Sequence, residues 1–172
     1  MPRYAAFLRG VSPMNCKMPE LKRCFESAGF TNVRTLLSSG NVVFDARSTS
    51  PAAIERRAVA AMEESMDRSF GTIVRSVKHL QALLASDHFA AFKLPPEAKR
   101  VVTFLREGSE VPKLKLPIAQ HDASILAVVG AEVLCAYVPG EKGPVFMGLL
   151  ERTFGKDITT RTLDTVRKCA NG

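Results

Sequence analysis

The order of strand-like and helix-like segments in the first 77 residues limits the fold more than any other feature of this sequence. Alternating or short apolar runs predict four strands, at residues 4–9, 33–37, 42–44 and 72–77. Apolar residues recur at helical spacing after the first and third of these strands, over residues 19–28 and 51–66. The order β-α-β-β-α-β predicts a ferredoxin-like unit, in which two helices cover one face of an antiparallel sheet.

Cap and turn residues mark the ends of these elements. Gly29 is placed to end the first helix, while Ser50 and Pro51 are placed to cap and open the second. Between the second and third strands, Gly40 and Asn41 can take the positive φ angles that a tight hairpin requires. These signals predict a β-hairpin between the two helices.

Pro95 and Pro96 are the best candidate for a domain boundary, because neither can continue regular structure. We therefore predict a ferredoxin-like α+β unit over residues 1–92 and a second α+β unit over residues 93–172. The second unit is predicted to contain a strand at residues 100–105, a hairpin of residues 124–129 and 132–138, and two C-terminal helices, the last over residues 163–170. One shared sheet or two packed sheets would fit this pattern. The predicted fold class is α+β.

The composition is typical of a soluble globular protein. The 172 residues are 46% hydrophobic, which is enough to form a core. The longest apolar runs, such as residues 125–129, are far shorter than the ~20 residues of a membrane-spanning helix, and the N-terminus leads directly into a strand. We therefore expect a cytoplasmic protein without a membrane partner.

The four cysteines lie far apart and form no Cys-x-x-Cys pair; they are Cys16, Cys24, Cys135 and Cys169. This spacing predicts reduced thiols rather than a disulfide framework or a zinc site. Cys24 and Cys135 are predicted core residues. Cys16 stands beside Lys17, which could lower the pKa of the Cys16 thiol, and an ordinary loop cysteine is the alternative.

The basic charge balance favours an anionic partner. The formal net charge is +7, and clustered Lys and Arg side chains raise the local concentration of phosphates and carboxylates. The charge is nevertheless spread over short groups, such as Lys22 with Arg23 and Arg56 with Arg57. Since the chain has no basic tail and no basic run with interleaved aromatic residues, binding to nucleic acid is disfavoured.

Four short segments occur in a characteristic order along the chain. They are Leu8-Arg9-Gly10, residues 29–35 (Gly-Phe-Thr-Asn-Val-Arg-Thr), residues 39–44 (Ser-Gly-Asn-Val-Val-Phe) and Thr159-Thr160-Arg161. Together they resemble the domain-of-unknown-function family 1697, over nearly the whole chain. The resemblance implies an α+β fold with ferredoxin-like parts, found mostly in bacterial proteins, and it implies no activity. The family tends to carry a Trp where this chain has Leu163, so a stacking platform for a nucleotide base is missing here.

The candidate functional site is an anion site built from basic and hydroxyl side chains. Residues 159–162 (Thr-Thr-Arg-Thr) are predicted to open the last helix, where amides, hydroxyls and a guanidinium favour a phosphate or carboxylate. Residues from the first strand, the next loop and the hairpin could join them. The predicted ligand-binding set is Arg9, Lys17, Ser39, Asn41, Thr160 and Arg161.

Each part of this site also has a purely structural interpretation. Thr162 can cap the last helix, with Arg161 paired to a nearby acid. The segment Ser39-Gly40-Asn41 can serve only as a turn, and Arg9 can form a structural ion pair. The sequence leaves these alternatives open.

Other chemistries lack their usual patterns. The three histidines, His79, His88 and His121, stand without a motif that pairs them with a nucleophile. Residues 140–144 (Gly-Glu-Lys-Gly-Pro) lack the spacing of a phosphate-binding P-loop and are predicted to be a surface loop. We expect no metal and no cofactor, and the catalytic residues stay unknown. If the protein is an enzyme, Asp164 or Glu20 is the nearest acid or base to the predicted cations.

We therefore interpret the chain as a binding protein for a small anionic ligand that carries phosphate or carboxylate. One alternative is an oligomeric or protein-binding α+β module that uses an exposed sheet face or an edge strand. Another is nucleic-acid binding through the sheet, but Phe44, Phe104 and Tyr137 do not form the aromatic motif of an RNA-binding sheet. The sequence decides neither whether the protein is an enzyme nor its oligomeric state.

Overall fold

The computed structural model describes residues 1–120, 123–139 and 145–172. These residues form two compact units, Met1–Ala85 with Arg167–Gly172 and Ser86–Val166. The predicted division lay between residues 92 and 93, whereas the chain divides after Ala85 and its last residues belong to the first unit. His121 and residues 140–144 lie outside the described residues.

The first unit contains a four-stranded sheet and three helices. Its elements are β1 (Arg3–Leu8), α1 (Met18–Ser27), β2 (Thr31–Leu36), β3 (Asn41–Asp45), α2 (Pro51–Met66), β4 (Thr72–Ser76) and α3 (Val77–Ala85). The strand order is β2-β3-β1-β4, and each neighbouring pair is antiparallel. The succession β-α-β-β-α-β is that of a ferredoxin-like unit, and the predicted α+β class is confirmed.

The core of this unit lies between the sheet and α1 with α2. Alternate residues of β1 and β3, including Leu8 and Phe44, point to the same side as Leu21 and Phe25 of α1. The rings of Phe30 and Phe44 stack with centroids 4.4 Å apart. The predicted caps are confirmed by geometry, because Ser50 Oγ accepts the amide of Ala53 at 3.2 Å and Gly29 has φ +95°. The start of α2 and the end of α1 therefore lie at the residues that the sequence predicted.

The hairpin between β2 and β3 differs from the prediction at one residue. Positive φ angles occur at Leu37 (+60°) and Gly40 (+89°), whereas Asn41 is the buried first residue of β3. Gly40 is required for a second reason, since a Cβ there would lie 2.9 Å from Val11 Cβ. The side-chain Nδ2 of Asn41 donates to Leu36 O at 2.9 Å and to Ser39 Oγ at 3.0 Å. Asn41 thus closes the loop with its side chain rather than with its backbone angles.

The second unit contains a separate five-stranded sheet. Its elements are a 3₁₀ turn (His88–Ala91), β5 (Lys99–Leu105), β6 (Ile118–Gln120), β7 (Ala123–Val129), β8 (Glu132–Tyr137), α4 (Val145–Phe154) and β9 (Ile158–Thr162). The strand order is β6-β7-β8-β5-β9, all antiparallel. Its core brings Val101, Ile125 and Cys135 against Leu149 and Leu150 of α4. The helix α5 (Leu163–Ala170) begins in this unit and ends in the first.

The prediction that residues 159–162 open the last helix is wrong. These residues belong to β9, where Arg161 pairs with Val102 and Thr160 with Thr103 of β5. Threonine is favoured both in strands and at helix caps, so a threonine-rich segment before a helix fits either structure. Thr162 does cap α5, because its Oγ1 accepts the amide of Thr165 at 3.3 Å.

The last residues are bonded to the first unit. Arg3 Nε donates to Gly172 O at 2.9 Å, and Gln81 Nε2 donates to Ala170 O at 3.1 Å. These bonds explain why the end of α5 belongs to the first unit. In the part of the chain that the structure describes, no helix has the length and apolar character needed to cross a membrane.

Candidate functional site

Four of the six predicted site residues belong to the first unit. Arg9 directly follows β1, and its amide donates to Gly71 O at 2.8 Å. The hairpin loop with Ser39 lies beside the same strand end, because the Leu8 amide donates to Gly40 O at 2.9 Å. Lys17 is exposed at the far end of the next loop, where it precedes α1. Arg9 and the Ser39–Asn41 turn therefore both lie at the carboxyl end of β1.

The other two predicted residues, Thr160 and Arg161, belong to the second unit and are engaged in local bonds. Arg161 is 9% exposed, and its Nη1 donates to Thr159 Oγ1 and to Thr160 O, each at 2.9 Å. The hydroxyls of Thr160 and Thr103 are hydrogen-bonded at 2.8 Å. This geometry supports the structural interpretation of β9. A ligand-binding role for Thr160 and Arg161 stays a prediction.

A groove of about 640 Å³ lies in the first unit, between α1 and the C-terminal end of α2 with the residues that follow it. One face of α1 lines it with residues at positions i, i+3, i+4 and i+7. Asp67, with φ +54°, ends α2 and turns the chain so that Arg68 reaches the same groove. The lining residues are Asn15, Glu20, Arg23, Cys24, Ser27, Ser65, Met66 and Arg68.

Two arginines on the groove retain donors for a ligand. Arg68 is exposed, donates from Nη1 to Asn15 O at 3.2 Å, and lies over the Phe70 ring at 5.1 Å. A guanidinium has five N–H donors, so most of those on Arg68 remain available. Arg23 is exposed, and its guanidinium forms no hydrogen bond or ion pair with any other described residue. The groove therefore offers two positively charged donor groups from two different elements.

The loop between β1 and α1 holds one wall of the groove in place. Asn15 Oδ1 accepts the amide of Ser12 at 2.9 Å, and Asn15 Nδ2 donates to Gly10 O at 2.8 Å. The carbonyl of Asn15 in turn accepts the bond from Arg68. Because Asn15 anchors both its own loop and Arg68, the wall is organised before any ligand binds.

The cysteines beside the groove are buried thiols rather than nucleophiles. Burial raises the pKa of the Cys16 thiol, the Glu20 carboxylate raises it further, and the Arg68 guanidinium opposes both. Burial also raises the pKa of Cys24, with a further contribution from Cys16. The alternative in which Lys17 lowers the pKa of Cys16 is wrong, since desolvation outweighs nearby positive charge. A raised pKa lowers the ionised fraction of a thiol, which disfavours Cys16 and Cys24 as nucleophiles.

Sequence reasoning placed Arg23 among dispersed surface charges and did not select Arg68. The available signal was the spacing of Glu20, Arg23, Cys24 and Ser27, which puts three polar side chains and a buried thiol on one helix face. Arg68 carries no comparable signal, because it stands in a short irregular segment. In the described part of the chain, no group of three His, Cys, Asp or Glu side chains is placed to hold a metal ion.

Comparison with known proteins yields a family and a fold. The model of a family described as "Protein of unknown function (DUF1697)" matches residues 1–133, a range that includes the whole groove. Among solved structures, the conserved bacterial protein SP0830 from Streptococcus pneumoniae is similar, with 20% identity and a TM-score of 0.67 over 99% of this chain and 97% of that one. At this identity the likeness concerns the fold alone. No curated protein matches the chain.

Proposed function

We propose a function for this chain, which belongs to the DUF1697 family of proteins of unknown function: it binds a small anionic ligand in the groove of its first unit. The observation that carries the proposal is the position of Arg23 and Arg68 on one groove, with donors left over from the bonds within the protein. Guanidinium groups bind carboxylates and phosphates through paired N–H donors. The volume of about 640 Å³ lies within the usual range of small-molecule sites.

The proposal places the anion site in the first unit, which contains four of the six residues predicted by sequence, but on other side chains. Ser39 and Asn41 are used by the hairpin turn, and Arg161 bonds within its own strand. The groove shares the loop of residues 10–17 with the predicted site, since Asn15 lines it. Lys17 stands at the end of that loop and adds to the local positive charge.

A thermal-shift titration with phosphate, sulfate and dicarboxylates tests the proposal. A ligand that binds the folded state raises the melting temperature by mass action. We expect a shift in the wild type that is lost in the double variant Arg23→Gln/Arg68→Gln. Arg34→Gln is the matched control, because Arg34 is an exposed arginine of the same unit that does not line the groove.

Two outcomes would contradict the proposal. One is a shift that persists in the double variant but disappears in Arg161→Ala, which would return the site to β9. The other is the absence of a shift with every anion at low ionic strength, where charge interactions are least screened.

Pairing of strands between molecules is disfavoured at both edges of the first sheet. At the β4 edge, the Val74 amide donates to the buried Glu55 Oε2 at 2.8 Å, so this backbone donor is already used. At the β2 edge, the register shifts between Thr31 and Arg34, and Arg34 is exposed. Bulges and edge charges hinder the addition of a further strand.

A second candidate function is association through exposed apolar loop tips. Met14 is 96% exposed and Leu37 is 49% exposed, although both are large apolar residues. Their loops are neighbours, since Gly40 contacts Val11. Sedimentation velocity over a concentration series tests self-association: a concentration-dependent dimer that is lost in Met14→Ser/Leu37→Gly would support it. A monomer at all concentrations would oppose self-association.

A further inference from the structure

The charged groups on the groove are of both signs, and this limits what the ligand can be. Glu20 lines the groove together with Arg23 and Arg68, so two positive charges and one negative charge face the same space. Glu20 is exposed, and its carboxylate forms no hydrogen bond or ion pair with another described residue. A simple anion would be attracted by the two arginines and repelled by this carboxylate.

The position of Glu20 relative to the arginines follows from two observations. Glu20 and Arg23 are three residues apart on α1, which puts their side chains on neighbouring positions of one helix face. Glu20 and Arg68 both act electrostatically on the thiol of Cys16, with opposite signs. Glu20 therefore lies beside Arg23 on the helix face, and both Glu20 and Arg68 lie within electrostatic range of Cys16.

The groove also contains a hydroxyl acceptor, two helical turns along α1 from Glu20. Ser27 Oγ donates its hydrogen to Cys24 O at 2.7 Å, which leaves its lone pairs for a donor from outside. Glu20 and Ser27 together accept hydrogen bonds, whereas Arg23 and Arg68 donate them. A complementary ligand needs two anionic groups and one positively charged donor.

We propose that the groove binds an acidic α-amino acid, with its two carboxylates on Arg23 and Arg68 and its ammonium on Glu20. This inference rests on the proposed function and names its ligand class. The three charges of the ligand are opposite in sign to the three charges of the groove, and the ammonium supplies N–H donors for the Glu20 carboxylate. The described lining contains no aromatic side chain, so a nucleotide base would find no ring to stack on.

Paired ligands separate the ammonium from the carboxylates. L-glutamate and glutarate have the same carbon chain and two carboxylates, and only glutamate carries the ammonium; L-alanine carries the ammonium and one carboxylate. By isothermal titration calorimetry at low ionic strength, glutamate should bind the wild type about fivefold more tightly than glutarate, the factor of one exposed ion pair. Alanine should bind more weakly than both.

The variant Glu20→Gln should remove this preference. Without the carboxylate, glutarate should bind at least as tightly as glutamate, because the repulsion of the anion and the attraction of the ammonium vanish together. Glu26→Gln is the matched control, since Glu26 is an exposed glutamate of the same helix that does not line the groove. It should leave the fivefold ratio unchanged.

The results distinguish failure of this inference from failure of the proposed function. If glutamate and glutarate bind equally in the wild type and both binding events need Arg23 and Arg68, the groove is an anion site without a place for an ammonium, and the inference is overturned. If neither diacid nor phosphate binds, the proposed function fails as well. Retention of the glutamate preference in Glu20→Gln would also overturn the assignment of the ammonium to Glu20.

Discussion

Strand β9 and the groove of the first unit both place arginine beside hydroxyl groups, yet they use it differently. Arg161 in β9 is 9% exposed, and its Nη1 donates to Thr159 and Thr160. Arg68 on the groove is exposed and gives one hydrogen bond, to Asn15 O. Residue type alone therefore does not identify a cation that binds a ligand. What matters is how many of its donors the fold already uses.

The hydroxyl groups of the two regions follow the same division. In the second unit, Thr160 and Thr103 bond to each other across β9 and β5. In the groove, Ser27 is exposed and its hydroxyl donates to the backbone of its own helix, at Cys24 O. We therefore expect substitutions in β9 to change mainly stability and substitutions in the groove to change mainly ligand affinity.

The largest expected effect is the loss of stability in Arg161→Ala. Hydrogen bonds to a charged group are worth about 1.5–3 kcal/mol each, and Arg161 Nη1 makes two, so the free energy of unfolding should fall by about 3 kcal/mol. Arg68→Ala should lower it by less than about 1 kcal/mol, because exposed charges contribute little. Urea unfolding of both variants measures the difference. Equal losses of unfolding free energy in the two variants would contradict the proposed difference between β9 and the groove.

The next effect is a decrease in the free energy of unfolding at alkaline pH. We expect the buried thiol of the second unit, Cys135, to contribute more to this decrease than Cys24 of the first unit. Burial raises the pKa of the Cys135 thiol to about 12, while burial raises the pKa of Cys24 in the groove as well. Cysteine in an unfolded chain ionises near pH ~8.5, so above that pH the unfolded state loses a proton that the folded state keeps. The stabilisation is complete below pH ~8.5 and is lost as the pH rises towards the folded pKa, by up to about 1.4 kcal/mol per pH unit for Cys135.

Urea unfolding between pH 7 and pH 11 checks this sign in the wild type, Cys135→Ala and Cys24→Ala. Removal of Cys135 should flatten the alkaline decline more than removal of Cys24. A wild-type free energy of unfolding that stays constant above pH 9 would contradict the assignment of buried thiols.

The smallest effect concerns the hydroxyl pair of Thr103 and Thr160. Thr103→Val and Thr160→Val should each cost about 1 kcal/mol, because each leaves one hydroxyl of this part-buried pair without the other. The double variant should cost about as much as one single variant, since no unpaired hydroxyl then remains. Additive losses in the double-mutant cycle would show that the two hydroxyls act independently.

The sequence predicted the first unit well because its signals are local. Gly29, Ser50 and the apolar spacing of α1 and α2 each determine the conformation of a few neighbouring residues. The strand β6 was missed because three residues are too few for a periodic pattern, and β9 was missed because its threonines also suit a helix cap.

The groove could not be predicted in the same way. Arg23 and Arg68 are 45 positions apart in the sequence, and only the folding of α1 beside the end of α2 puts them on one surface. Nor does the sequence indicate how deeply the side chain of Arg161 is buried, and this burial decides whether its donors bond within the protein or remain available to a ligand. The groove also requires the chain to turn at Asp67, which takes a positive φ although it is not a glycine. The sequence did not predict this turn.

A titration of the ¹⁵N-labelled protein with glutarate, followed by amide chemical shifts, tests the anion site in the groove most directly. We expect saturable shift changes at Asn15, along α1 from Glu20 to Ser27 and at residues 65–68, with β9 unaffected. Saturable changes confined to residues 158–162, or no saturable change anywhere in the spectrum, would contradict it.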